Sequence, residues 1–303
     1  MMARRMKLPR SAGNVEAYLP GSDERKLRKA FRTNADAVCF DLEDSVANDR
    51  KAGARETVLY ALNAAEGPAE RLVRISSPSS GLARDDLEII LSSQSLQGIV
   101  IPKVHSPSDV HFVMEMIEQH AHPDTRDSLK LIASIESARA IMNLKEIATA
   151  SDHLDSLLFA AEDFCADTGI VRTEDRRELL YARSAVVVAA KAFGLSAIDL
   201  VCIHYLDQDS LAEECEEGRK LGFDAKQMIH PAQIDVVQAA FSPSQQAIEK
   251  AQTVLAQYKA ATEAGKGAYG LAADKHGRAE MIDAPMILQA QRLLAKAAQY
   301  GLV

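Results

Sequence analysis

The chain has 303 residues, 47% hydrophobic and 26% charged, with 35 Lys and Arg against 43 Asp and Glu for a formal charge of −8. That apolar content can bury a large core, which excludes extensive disorder, and no apolar run reaches the roughly 18 residues of a membrane span. No dense basic stripe marks a nucleic-acid binder, and an anionic substrate would need a local basic pocket.

The basic start MMARRMKLPR lacks an apolar core. It reads as a solvated tail or the stub of an organellar presequence, not as a secretory signal. One unit then recurs: a short apolar run, one or two polar residues, and a helical segment. The runs are Val15–Leu19, Ala37–Asp41, Leu72–Ile75, Gly98–Pro102, Leu129–Ile135, Leu157–Ala160, Ile198–Ile203 and Ala225–Ile229. Near-continuous apolarity, without alternation, suits parallel strands buried on both faces. Between them, Ser22-Asp23-Glu24 starts a charged amphipathic helix reaching Phe31, Pro107 opens a helix over Ser108–Glu118, and Leu179–Phe193 is an Ala/Val-rich helix ended by Gly194. Eight units over about 215 residues predict an α/β fold, a (β/α)8 TIM barrel. A doubly wound sheet is the competing topology, and the absence of GxGxxG after the first run counts against it.

The pattern changes after Pro231. Helices are expected over 244–263 and 285–299, separated by the flexible run Gly265–Gly270 and a polar stretch leading to Asp283-Ala284-Pro285. The expected division is a barrel catalytic domain over residues 1–240 and a C-terminal helical extension over 241–303, an arm or lid carrying Asp283. Cys39, Cys165, Cys202 and Cys215 lack CxxC spacing and paired histidines, so neither a disulfide framework nor a zinc site is expected.

In a parallel barrel the chemistry gathers where strands end. Here the ends offer Tyr18, then Asp41, Glu43 and Asp44, then Arg74, Lys103, Glu136, Glu162 with Asp163, His204 and His230. Isolated buried charges are costly, so such residues need partners or a task. Glu136 and Asp163, on neighbouring ends, can hold Mg2+ and leave positions for water and substrate oxygens. Capping the following helices is the competing role for either one alone; the nearby acids Asp41, Glu43 and Asp44 favour the metal. Arg74 sits in a buried-type run and needs an anion. Either the acids at 41–44 supply it, or its planar fork grips a substrate carboxylate or enolate. Arg25 and Lys29 share a helix face and form the basic patch a phosphorylated ligand would need, or simply a solvated face. His204 and His230 read as ordinary hydrogen-bonded histidines, and Asp283 as a helix N-cap.

The segments 18–23, 40–47, 73–76, 101–104, 135–138, 161–164, 191–199 and 222–231 (from Tyr-Leu-Pro-Gly-Ser-Asp to Gly-Phe-Asp-Ala-Lys-Gln-Met-Ile-His-Pro) occur in an order that resembles the citrate lyase β-subunit-like family of the acyl-CoA lyase/aldolase superfamily. The resemblance covers nearly the whole chain. It implies a homotrimeric barrel enzyme with a C-terminal extension, Mg2+ held by Glu136 and Asp163, and Arg74 contacting substrate. It also implies coenzyme A contacts from Tyr18, Arg25, Lys29, Ile229 and His230, and a catalytic Asp283 reaching in from a neighbouring subunit, which replaces the N-cap reading. The implied reaction cleaves a 3-hydroxyacyl-CoA such as citramalyl-CoA to acetyl-CoA and a 2-oxo acid such as pyruvate, with malate or methylmalate synthesis as its reverse counterpart. Asp283 would protonate the enolate carbon, and the Ser137 and Ala138 amides would hold a carboxylate oxygen.

Alternatives are malyl-CoA lyase activity, since one methyl group separates the substrates and is worth only about 1–3 kcal/mol in a pocket; a citrate lyase β subunit working on a carrier-protein thioester; and a non-catalytic CoA-binding scaffold. Two departures bear on lid geometry: Asp44-Ser45 stands where relatives commonly have Asp-Gly, and Leu271–Glu280 is longer than usual. The expected location is the mitochondrial matrix or the cytoplasm.

Overall fold

Eight parallel strands close on themselves in sequence order: β1 (Val15–Pro20), β2 (Ala37–Asp41), β3 (Glu70–Arg74), β4 (Gly98–Ile101), β5 (Lys130–Ile135), β6 (Leu154–Phe159), β7 (Ser196–Asp199) and β8 (Ala225–Met228). Closure comes from β1 pairing with β8, Val15 opposite Lys226. This is a computed structural model, and it describes residues 15–23, 25, 27, 34–64, 67–263, 269–270 and 281–303.

The strand period of two sorts the side chains into layers. Ala37, Cys39, Leu72, Val100, Ile132, Leu158, Ile198 and Ala225 fill the barrel interior, with Tyr18 and Ala160 packed against them. Their alternates, among them Phe40, Val73, Ile99, Leu131, Leu157, Phe159 and Ala197, are fully buried on the outer face. Two-sided burial is why these runs read as continuous apolar stretches. Following the inward parity toward the C-terminal mouth, the residue after Cys39 is Asp41, after Leu72 Arg74, after Ala225 Gln227, and two steps beyond Ile132 lies Glu136. An apolar plug thus carries a polar ring at one end.

Expected and observed helices agree where local signals are strong. Pro107–His120 begins with a capping box between Ser106 and Asp109. Leu180–Phe193 ends at Gly194 with φ 73°, the left-handed turn that glycine takes without strain. Of the stretch expected to run from Ser22 to Phe31, Ser22 and Asp23 precede the helix and Arg25 and Leu27 are helical, with the Leu27 N–H donating to the Asp23 carbonyl at 3.0 Å; the remainder, Lys29 included, lies outside the described residues. The sixth strand begins at Leu154, earlier than the run starting at Leu157 suggested. The seventh stops at Asp199, not Ile203. Its expected continuation is drawn off the sheet by side chains: Lys226 Nζ donates to the Leu200 carbonyl, Arg172 to that of Val201 and Gln233 to that of Cys202. All four cysteines are free thiols.

Residues up to Gln238 form one compact unit and Ala239–Val303 a second. In the second, Gln245–Glu263 packs on Ala284–Gln299 through Ala251, Val254, Ile287 and Ala290. Tyr269–Gly270 and Met281–Ile282 pair antiparallel immediately before Asp283. The polar stretch 271–280, expected as lid, lies outside the described residues.

A second charged region was not anticipated. Arg183 and Asp199, both fully buried, form a two-bond pair at 3.1 and 2.7 Å, and Arg183 also reaches Glu217 at 2.9 Å. Buried Lys226 pairs with Glu214 at 3.0 Å; Arg172 joins Glu214 and Glu162, and Arg176 joins Glu217 and Glu214. Gly218 lies against this pair, where a Cβ would collide with the Asp199 carboxylate.

Candidate active site

The polar ring is organised around Arg74. Its Nε and one terminal nitrogen donate to the two oxygens of Asp41 at 2.7 and 2.8 Å, its other terminal nitrogen lies 3.3 Å from Glu43, and its guanidinium sits 5.1 Å from the centre of the Tyr18 ring. Asp41, 1% exposed, also accepts from the backbone N–H groups of Glu43 and Ser45. Burial pushes the Asp41 carboxyl up, but the Arg74 bonds and charge, with Ser45 and the Glu43 amide, hold it below its ordinary value. For Glu43 the balance reverses: burial outweighs Arg74 and Lys103, and its carboxyl is raised. The structure therefore gives Arg74 the acids at 41–44 as its fixed partners, one of the two roles left open by its position.

Lys103 links the two sides of the mouth. Its ammonium lies 2.9 Å from Glu43, 3.2 Å from Asp44 and 3.8 Å from Asp163. Its backbone is left-handed, φ 50°, a conformation that costs a residue with a side chain of order 1–3 kcal/mol. Its backbone N–H faces the Glu136 carboxylate and favours its ionised form. Nearby, Lys51 Nζ donates to the Leu42 and Glu43 carbonyls at 2.6 and 3.0 Å, which holds the acid loop by its backbone. The Pro102-Lys103 strand end was legible as ionisable; its backbone conformation and the Lys51 clamp carry no sequence signal.

Glu136 is 3% exposed, and its Oε2 is a buried oxygen without a hydrogen-bond partner among the described residues. Burial, followed by the charges of Glu43 and Asp163, outweighs hydrogen bonds from Ser134 and Lys103 and pushes its carboxyl up to about 7. A buried unsatisfied polar atom costs about 1–3 kcal/mol, more when charged. Asp163, in the first turn of the helix Ala161–Thr168, is partly open, its side chain 38% exposed. Among the described residues no group of three or more His, Cys, Asp or Glu is arranged around one point. Asp41, Glu43 and Asp44 are turned to Arg74 and Lys103. The donor set that fits a metal is one orphaned buried carboxylate oxygen and one accessible carboxylate. Mg2+ commonly takes one or two carboxylates and completes its shell with water and substrate oxygens. Five carboxylates here stand against Arg74, Lys103 and the nearby buried Lys51, an excess of negative charge that a divalent ion would offset.

Other expected residues fall variously. His230 caps the turn Pro231–Gln233, its Nδ1 accepting from the Ala232 N–H, and its ring lies 5.1 Å from that of Tyr205. Ile229 beside it is 46% exposed, unusual for isoleucine. Arg25 and His204 are exposed. Ser137 Oγ accepts from the Ala140 N–H and lies 2.9 Å from His105 Nδ1. The Ala138 N–H donates to Asp167 at 2.8 Å, so that amide is engaged and the expectation that it holds a substrate carboxylate is withdrawn. Asp283 accepts the Met286 N–H at 3.1 Å and is the N-cap of the final helix, as its local context indicated.

The fold and its polar mouth are those of a barrel enzyme whose chemistry lies at the C-terminal strand ends. The chain belongs to the HpcH/HpaI aldolase/citrate lyase family, whose pattern matches residues 15–231. It is 38% identical over 291 residues to the mitochondrial citramalyl-CoA lyase of Homo sapiens, covering 92% of this chain and 84% of that protein. It is 37% identical over 251 residues to the (3S)-malyl-CoA thioesterase of Cereibacter sphaeroides, covering 82% and 84%. The crystal structure of the protein CitE from Mycobacterium tuberculosis in complex with magnesium, acetoacetate and coenzyme A superposes with a TM-score of 0.77 at 31% identity, covering 95% of this chain and 99% of that one.

Proposed function

We propose that this chain is a Mg2+-dependent carbon–carbon lyase that cleaves citramalyl-CoA, a 3-hydroxyacyl-CoA, to acetyl-CoA and pyruvate. The observation that carries the reading is the buried, unpartnered Glu136 oxygen at a mouth already rich in negative charge. The human relative supports the substrate, and the CitE complex supports the metal and the coenzyme.

Glu136 and Asp163 would hold Mg2+, which when bound supplies a Lewis acid that lowers the pKa of the C3 hydroxyl and orients it. As the C3 hydroxyl releases its proton to solvent, its O–H pair forms the carbonyl, the C2–C3 bond breaks, and that bond's electron pair is left on C2 as a thioester enolate. Arg74 meets this negative charge. Asp41, Glu43 and the Tyr18 ring already fix its fork, so its remaining N–H donors need no reorganisation as charge develops. Asp283 would then deliver a proton to C2, reaching the mouth from a neighbouring subunit of a homotrimer. Tyr18, Arg25, Lys29, Ile229 and His230 would contact the coenzyme; half-exposed Ile229 is apolar surface that a ligand can cover. The human relative's name supports a mitochondrial location, and no helix among the described residues is long and apolar enough to cross a membrane.

The test is steady-state turnover of citramalyl-CoA with Mg2+, with EDTA, and in an Asp283→Ala variant. Activity should vanish with chelation and return with Mg2+, and the variant should lose turnover while still binding acetyl-CoA. Turnover undiminished by either treatment refutes the reading, and light scattering tests the trimer. The similarity to the malyl-CoA thioesterase favours a second reading, in which the substrate lacks the C3 methyl; parallel kinetics on malyl-CoA separate the two.

A further inference from the structure

Lys103 is the residue of the mouth that touches most of its acids, and no role in the proposed reaction uses it. Its left-handed backbone is what allows it to serve two directions at once. The N–H turns to Glu136, while the ammonium, 32% exposed, reaches back to Glu43 and across to Asp163. The next residue returns to regular pairing, with the Val104 N–H donating to the Ser134 carbonyl at 3.2 Å, so the strained position is pinned on its far side by β5. Its tightest ion pair is with Glu43, at 2.9 Å, and the contact with Asp163 is looser, at 3.8 Å. The ammonium is therefore anchored on the acid already committed to Arg74 and leaves Asp163 only loosely held. A glycine would adopt the same backbone without strain. The side chain is thus kept at a conformational cost.

We propose that Lys103 is a positioning residue for the divalent cation: its N–H orients Glu136 and its ammonium, braced on Glu43, steers Asp163 toward the same point and offsets repulsion among the clustered acids. This rests on the assignment of Mg2+ to Glu136 and Asp163 above. The opposing possibility is that the ammonium is a surrogate cation that competes with the metal. The two differ in sign, since removing a competitor tightens metal binding whereas removing a positioning group weakens it.

Calorimetric titration of Mg2+ alone into the full-length protein, without substrate, decides between them. Wild type is compared with Lys103→Met, Lys103→Arg and Lys103→Gly. The Met and Gly variants should bind Mg2+ at least about tenfold more weakly, in the range seen when groups that orient metal ligands are removed. The Arg variant, which keeps a cation, should bind more tightly than either. Because Gly relieves the backbone strain and removes the ammonium, a Gly loss equal to the Met loss places the effect in the side chain even if the Met variant folds poorly. Met and Gly variants that bind Mg2+ as tightly as wild type, or more tightly, overturn the inference, as does an Arg variant no better than Met. A wild-type protein that binds no Mg2+ defeats the metal assignment instead, so the two failures are distinguishable.

Discussion

Two regions of the barrel bury many charges, and they are built differently. Behind β7 and β8, Asp199, Glu162, Glu214 and Glu217 meet Arg172, Arg176, Arg183 and Lys226, four carboxylates against four cations, joined in a continuous chain of ion pairs. At the C-terminal mouth, Asp41, Glu43, Asp44, Glu136 and Asp163 share Arg74 and Lys103; among the described residues the Glu43 oxygens have no hydrogen-bond partner beyond these ion pairs, and one Glu136 oxygen has neither. Burying charge is tolerable when each group is paired and hydrogen-bonded. The balanced network meets that condition internally and reads as architecture. The mouth does not meet it, and the shortfall is a cation.

The largest expected effect that sharpens this contrast is at the mouth. Glu136→Gln should lower Mg2+-dependent turnover by at least about a hundredfold, with little loss of thermal stability in metal-free protein; wild-type turnover would mean that the orphaned oxygen has no role. The balanced network should respond in the opposite way. Asp199→Asn leaves Arg183 buried with half its pairing removed and should cost about 3–5 kcal/mol in denaturant unfolding, while Mg2+ affinity in the surviving folded protein stays unchanged. A shift in metal affinity there would erase the distinction between the regions. Gly218→Ala should cost about 1–3 kcal/mol by the same assay, because the added methyl meets the Asp199 carboxylate in a packed interior.

The smallest effect is a pH slope. The carboxyl of Glu136 stands at about 7 in the folded chain against an ordinary 4.5, so the folded state binds the extra proton between those values. Its contribution to metal-free stability is therefore complete below pH 4.5 and is lost as pH rises through 7. Mg2+ requires the ionised form, so the rise in melting temperature on adding Mg2+ should be greater at pH 8 than at pH 5.5. An equal shift at both values would remove Glu136 from the metal site. Glu136→Gln should remove this contribution to the metal-free slope.

Much of the barrel was legible because each strand reports its own burial. Continuous apolar runs marked all eight strands, and parity along β2, β3 and β5 carries Asp41, Arg74 and Glu136 to one rim. Errors came where side chains from other elements intervened. The seventh apolar run continues to Ile203, yet Lys226, Arg172 and Gln233 take the carbonyls beyond Asp199. The Ala138 amide looked available to a ligand until Asp167 was brought beneath it. By itself the sequence determined the unit repeat, the fold class and the set of ionisable strand ends, since helical and strand periodicities are local properties of a few neighbouring residues. Only the tertiary structure decided who pairs with whom. Arg74 and Asp41 lie 33 positions apart, and Lys103 and Asp44 59 apart, and the parallel pairing of neighbouring strands brings them within bonding distance. Which acid is left without a partner is a property of that arrangement, because charge compensation is settled in space and not along the chain.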